Sequence, residues 1–86
     1  MNKRLYEMLK SSAEADIAKA KLSLELLGQN PVGIGDHSTE DFYKNAEEAL
    51  ALLDDGASRL ETLNAYKKLM DEENQIIYSS RPRKQI

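Results

Sequence analysis

FYKNAEEALALLDDGASRLETLNAYKKLM, residues 42–70, keeps one seven-residue apolar register from end to end: Phe42, Ala46, Ala49, Leu53, Gly56, Leu60, Leu63, Lys67 and Met70. Alternating steps of three and four residues place these positions along one face of an α-helix. Asp54-Asp55-Gly56 is a potential helix stop. The register passes through Gly56 without a shift, however, so one continuous helix is expected. A mid-helix glycine costs about 1 kcal/mol relative to alanine. A tightly packed stripe offsets that, and on the stripe the missing side chain lets another helix come close. Ser38 or Thr39 serves as N-cap, with Glu40 and Asp41 at the positive end of the helix. The helix is expected from Thr39 to Ile77, fraying after Tyr78.

Working outward, the segment before it, GQNPVGIGDHS over 28–38, reads as a connecting loop. Gly28 is a suitable C-terminal stop for the preceding helix, and Pro31 lies where that helix has ended. Upstream, Ala13, Ile17, Ala20, Leu24 and Leu27 form a second stripe, widened by Leu22 and Leu26. Ser11 and Glu14 match a capping box and suggest a fresh helix start there. Leu5, Met8 and Leu9 then mark a short first helix over 2–10, separate from or kinked against the second. The expected fold is all-α: a short kinked N-terminal helix, a mid-length helix and one long helix in an antiparallel hairpin. Residues 1–78 form a single domain, and 79–86 a flexible basic tail.

The helices differ in length. Helices rise about 1.5 Å per residue, so the long one spans about 58 Å and the stretch from Ser12 to Leu27 about 24 Å. The short helix leaves much of the long stripe uncovered, and a chain of 86 residues has little surface to bury on its own. Self-association is therefore expected.

Composition narrows the function. The chain has no cysteine and one histidine, His37, so thiolate metal sites and disulfides are excluded. No nucleophile-elbow pattern surrounds His37 and Ser38, and His37 reads as a loop residue that hydrogen-bonds locally. The carboxylates from Glu40 to Glu61 fall mostly off the stripe, as a solvated face without metal-ligand spacing. Gly33-Ile34-Gly35 precedes a helix N-terminus but has no strand before it and no GK[ST] after it, so it reads as a packed turn. No catalytic residue, metal or cofactor is expected, and the chain does not read as an enzyme. No apolar run approaches the ~20 residues of a membrane span, and the charged N-terminus is no signal peptide. A cytoplasmic setting fits.

Net charge is −3, with acids in excess over 11–70 and bases at both ends. The acidic middle argues against a nucleic-acid polymer, which demands many phosphate contacts. A small anion is different. Lys3, Arg4, Lys10, Lys19 and Lys21 lie in the first quarter of the chain around Tyr6. A tyrosine offers a face for a base, and lysines offer charges for phosphates.

The sequence resembles the small phage anti-CBASS proteins that act as cyclic-oligonucleotide sponges. The likeness covers residues 3–75: the N-terminal helical pieces, the PVGIGDHSTEDF turn and the long helix ending at LETLNAYKKLM. It implies a compact helical homo-oligomer, a hexamer, in the cytoplasm of a bacterial host. Such proteins bind cyclic dinucleotides between protomers and release them unchanged, and some members also bind cyclic trinucleotides. The resemblance assigns Tyr6 to stacking on a base and Lys21 to ligand contact. It assigns Ser23, where a threonine is expected, and Arg59 to the second ligand. The alternative reading is an amphipathic-helix protein that docks the 42–70 stripe onto a host protein.

Overall fold

A computed structural model describes residues 1–29 and 39–85, with burial described through Asn74. Among these residues the chain is two helices and nothing else: α1, Lys3–Gln29, and α2, Thr39–Gln85. They pack antiparallel into a rod of 75 × 18 × 14 Å. The all-α expectation is met, but the three-element layout is not. The 28–38 loop, with Val32, Gly33, Ile34, Gly35, His37 and Ser38, lies almost wholly outside the described residues.

Helix α1 is uninterrupted at Ser11 and Ser12, which are both exposed. The capping-box residues are present, yet helix-compatible sequence lies on both sides, so no break is needed. The cap actually used is Asn2. Its Oδ1 accepts a hydrogen bond from the Leu5 amide at 3.0 Å, and its carbonyl accepts the first intrahelical bond, from the Tyr6 amide. At the other end Gly28 is still helical. Helix α2 continues through Gly56 and on to Gln85, past the fraying point expected at Tyr78. Thr39 is its first helical residue, with Glu40 and Asp41 in the first turn.

The register of 42–70 is the packed face. All nine of its positions are buried or half-buried. On α1 the stripe Ala13, Ile17, Ala20, Leu24 and Leu27 is covered as well. Its seven-residue step continues backwards to Lys10 and Tyr6, both half-buried. Leu5, Met8 and Leu9, the apolar residues that marked the first helix, are instead exposed. So are Leu22 and Leu26. Packing follows the step rather than the local cluster of leucines, because only residues in phase with Ala13 meet α2.

Cross-helix contacts set the alignment. The Met1 amino group lies 3.8 Å from Asp71, Tyr6 bonds to Asn64, Arg59 pairs with Asp16, and Leu27 shares a groove with Asn45 and Glu48. Helix α1 has 27 residues, about 40 Å, and α2 has 47, about 70 Å. Nearly the whole Phe42–Met70 register is therefore faced by α1 of the same chain, and the backbone beyond Asp71 projects well past it. The shortfall inferred from helix lengths is corrected accordingly. What remains unmet is lateral: two helices bury one seam between them and cannot surround a side chain. The core is Ala13, Ala20, Ala49 and Leu63, with no large side chain fully buried among the described residues.

The centre of the seam is built from small residues. Gly56 is buried against Ala13 and Ile17. A Cβ placed there would lie 2.9 Å from Ile17 Cγ1 and 3.1 Å from the Ala13 carbonyl oxygen. The close approach expected at Gly56 thus occurs, and α1 of the same chain supplies the helix that makes it.

Candidate functional site

Tyr6 stands at the α1 end of the seam, where the small central residues give way to larger ones. Its hydroxyl donates to Asn64 Oδ1 at 2.6 Å. Lys67 Nζ lies over the ring, 5.4 Å from its centroid, within cation–π range. Lys67 in turn donates to Asp71 Oδ2 at 2.8 Å. That bond raises the Lys67 pKa and lowers that of Asp71, so both are charged at neutral pH. Four residues from both helices thus form one cluster: Tyr6, Asn64, Lys67 and Asp71.

Lys21 is exposed. It lies on the same helix as Tyr6 but about 22 Å further along the axis. Lys3 and Lys10 stand one turn to either side of Tyr6 on α1, with Arg4 on a nearly opposite side; like Lys21, these three form no ion pair among the described residues, whereas Lys19 approaches Asp16 at 3.9 Å. Ser23 lines an open groove of about 440 Å³ with Leu26, Leu27, Asn45 and Leu52. Two residues away from Lys21 on a helix, it points to a nearly opposite side.

Arg59 is half-buried and doubly engaged. Its Nη2 donates to Asp16 on α1, and its Nε to Asp55 Oδ2 at 2.9 Å. These bonds, Asp16 first and Asp55 second, raise its pKa. With two carboxylates on one guanidinium, Arg59 is compensated rather than available to an anion. It also borders a second open groove of about 570 Å³, formed by Met1, Leu5, Leu9, Thr62, Leu63 and Tyr66. The four residues singled out from the sequence therefore do not converge within one chain. Tyr6 and Arg59 belong to the seam, while Lys21 and Ser23 are on the surface of α1's second half.

Asn64 and Lys67 were not singled out as site residues. Lys67 was visible in the sequence as the one charged position of the 42–70 register, and that irregularity was its signal. Asn64 carried none. No group of acidic, histidine or cysteine side chains capable of holding a metal occurs among the described residues. Among the described residues no helix is long and apolar enough to cross a membrane.

Compared with known proteins, the chain matches no family model, no curated protein and no solved structure.

Proposed function

We propose that this protein is a sponge for cyclic di- and trinucleotide second messengers, binding them without cleavage and so blocking CBASS-type antiviral signalling. The observation that carries the reading is the Tyr6 cluster: an aromatic ring on α1, held by α2 and flanked one turn to either side by Lys3 and Lys10, which form no ion pair among the described residues. A ring beside cations suits a base linked to phosphates. The chain's overall negative charge does not oppose this, since a small dianion needs only a few local cations.

Assembly is part of the proposal. Tyr6 and Lys21 are too far apart in one chain to grip one cyclic dinucleotide, so the site is composed of Tyr6 from one copy and Lys21 from another. Exposed Leu5, Leu9, Tyr66 and Leu69 supply apolar surface for such contacts. The resemblance noted above sets the expected assembly as a hexamer. For the trinucleotide, Arg59 must exchange Asp16 or Asp55 for a phosphate, which makes that interaction the more costly of the two.

The reading as a host-protein docking helix is weaker. It requires the 42–70 stripe, and that stripe is packed against α1. Titration calorimetry with cyclic di- and trinucleotides, followed by chromatography of ligand released by heat, tests the proposal. Binding with Kd at or below about 1 μM (a free energy near −8 kcal/mol) and recovery of intact ligand are expected. Absence of binding, or a chemically altered ligand, rejects it. Tyr6→Ala and Lys21→Ala proteins that remain assembled are expected to lose binding.

A further inference from the structure

We propose that Asn64 and Lys67 are positioning residues that turn Tyr6 into a stacking platform with a single usable face. The inference rests on the reading of Tyr6 as the base-stacking residue. Its first ground is the geometry of a tyrosine ring. The hydroxyl lies on the axis about which the ring flips. The 2.6 Å bond to Asn64 therefore fixes where the ring points without fixing its plane. Lys67 supplies what that bond lacks. With Nζ over the ring, it covers one face and sets the plane, and Asp71 holds the ammonium in place at 2.8 Å.

The second ground is the placement of Lys67 in the sequence. It occupies a position of the seven-residue register whose other members are Phe, Ala, Leu, Gly and Met. An apolar residue there extends the seam at no electrostatic cost. A lysine directly over the aromatic ring of the facing helix exchanges seam packing for orientation. The consequence for a ligand is definite. One face of Tyr6 is occupied from within the chain, so a base stacks on the opposite face only, and each Tyr6 takes one base. Holding the ring ready removes an ordering cost from binding.

The test uses the intact protein with cyclic GMP–AMP as the probe. Asn64→Ala and Lys67→Met are each expected to weaken binding about tenfold, the scale of one lost preorganising contact, with assembly mass and helicity unchanged. Lys67→Arg is expected to retain affinity, because a guanidinium also lies flat on an aromatic face. Tyr6→Phe is expected to match Asn64→Ala, and the double variant to bind no worse than either, since both remove the same bond. The slope of affinity against salt is expected to stay unchanged in Lys67→Met. A reduced slope would assign Lys67 to direct phosphate contact and overturn the positioning role, as would unchanged affinity in both variants. A ligand-free readout separates this inference from the sponge reading. Flipping of the Tyr6 ring, followed by NMR, is expected to accelerate in Lys67→Met and not in Lys21→Ala. Unchanged flipping overturns the inference even where the wild type binds. Accelerated flipping in Lys67→Met, with a wild type that binds no cyclic nucleotide, rejects the sponge alone.

Discussion

Gly56 touches Ile17 so closely that a Cβ on Gly56 would stand 2.9 Å from Ile17 Cγ1. The Ala13 carbonyl oxygen closes the same space at 3.1 Å. This pairing explains why a helix this long keeps a glycine near its middle. Two helices with no third layer gain stability only by bringing their backbones close, and the small residues Ala13, Ala20, Ala49 and Gly56 permit it.

Two glycine-to-alanine substitutions should therefore act in opposite directions. Gly28→Ala adds a methyl group where nothing among the described residues lies within 4 Å and gains a few tenths of a kcal/mol from helix propensity, about half or less of the interior value because Gly28 is one residue from the end of α1. Gly56→Ala gains the full interior propensity, but it forces a backbone carbonyl and a branched side chain to move, and overpacking costs about 1–3 kcal/mol. Urea unfolding at fixed protein concentration should place Gly28→Ala above wild type and Gly56→Ala below it. A stabilised Gly56→Ala protein would show that the helices are free to separate.

Arg59 joins the helices through charge rather than apolar contact. It bridges Asp16 on α1 and Asp55 on its own helix. Arg59→Ala should lower the thermal midpoint, and Arg59→Lys should restore it only in part, because an ammonium lacks the planar fork that serves two carboxylates. Added salt should narrow the gap between wild type and Arg59→Ala, since exposed pairs are screened. The same arginine is the candidate trinucleotide contact. Asp16→Asn, which releases one of its partners, should raise trinucleotide affinity relative to dinucleotide affinity in calorimetry.

The seam was legible where its residues advertise it. From Phe42 to Met70 and from Ala13 to Leu27 the apolar period is explicit, and the packed faces are the ones it marks. At the start of α1 the period is carried by Tyr6 and Lys10, which do not look like core, while Leu5, Met8 and Leu9 do. Local hydrophobicity therefore pointed to the wrong side of the helix. Continuing the seven-residue step backwards from Ala13 finds the right one. Ser11 and Ser12 posed a similar ambiguity, because cap-type residues favour a helix start but do not create one. In the candidate site, Asp55 four residues before Arg59 was readable as a helix pair. Asp16 was not, because the partner on a facing helix depends on alignment between the two elements. For the same reason the sequence indicated a close neighbour for Gly56 without saying which helix supplies it.

The exposed leucines have a consequence for assembly. With a seam of small residues and no large side chain fully buried among the described residues, the isolated hairpin has little to offset its chain entropy. Light scattering should report a mass several times the 9.7 kDa chain. The thermal midpoint should rise with protein concentration, as mass action requires when folding and association are coupled. Leu5→Glu with Leu9→Glu, on the rim of the groove near Tyr66, should lower both mass and midpoint. A concentration-independent midpoint and a mass of one chain would overturn this.

The Asp71–Lys67 pair gives the Tyr6 cluster a defined pH window. The bond from Lys67 lowers the Asp71 pKa, so its stabilising effect is fully present above the ordinary aspartate value, about 3.9. It fades as pH falls through the lower folded value. The Lys67 pKa is raised by the same bond, so on the alkaline side the effect is fully present below the ordinary lysine value, about 10.4, and is lost as pH rises through the higher folded one. Between those limits the pair is intact and Lys67 is held over Tyr6. Asp71→Asn removes the acceptor charge at every pH. The Met1 amino group also faces Asp71, so the difference in thermal midpoint between wild type and Asp71→Asn should be constant only between about pH 5 and pH 7 and vanish in strong acid, where the wild-type carboxylate takes up its proton. Both side chains are partly exposed, so the difference should be small and should shrink with salt. A difference that persists unchanged in strong acid would mean that Asp71 acts through its shape or packing, leaving Lys67 held over Tyr6 by something other than that charge.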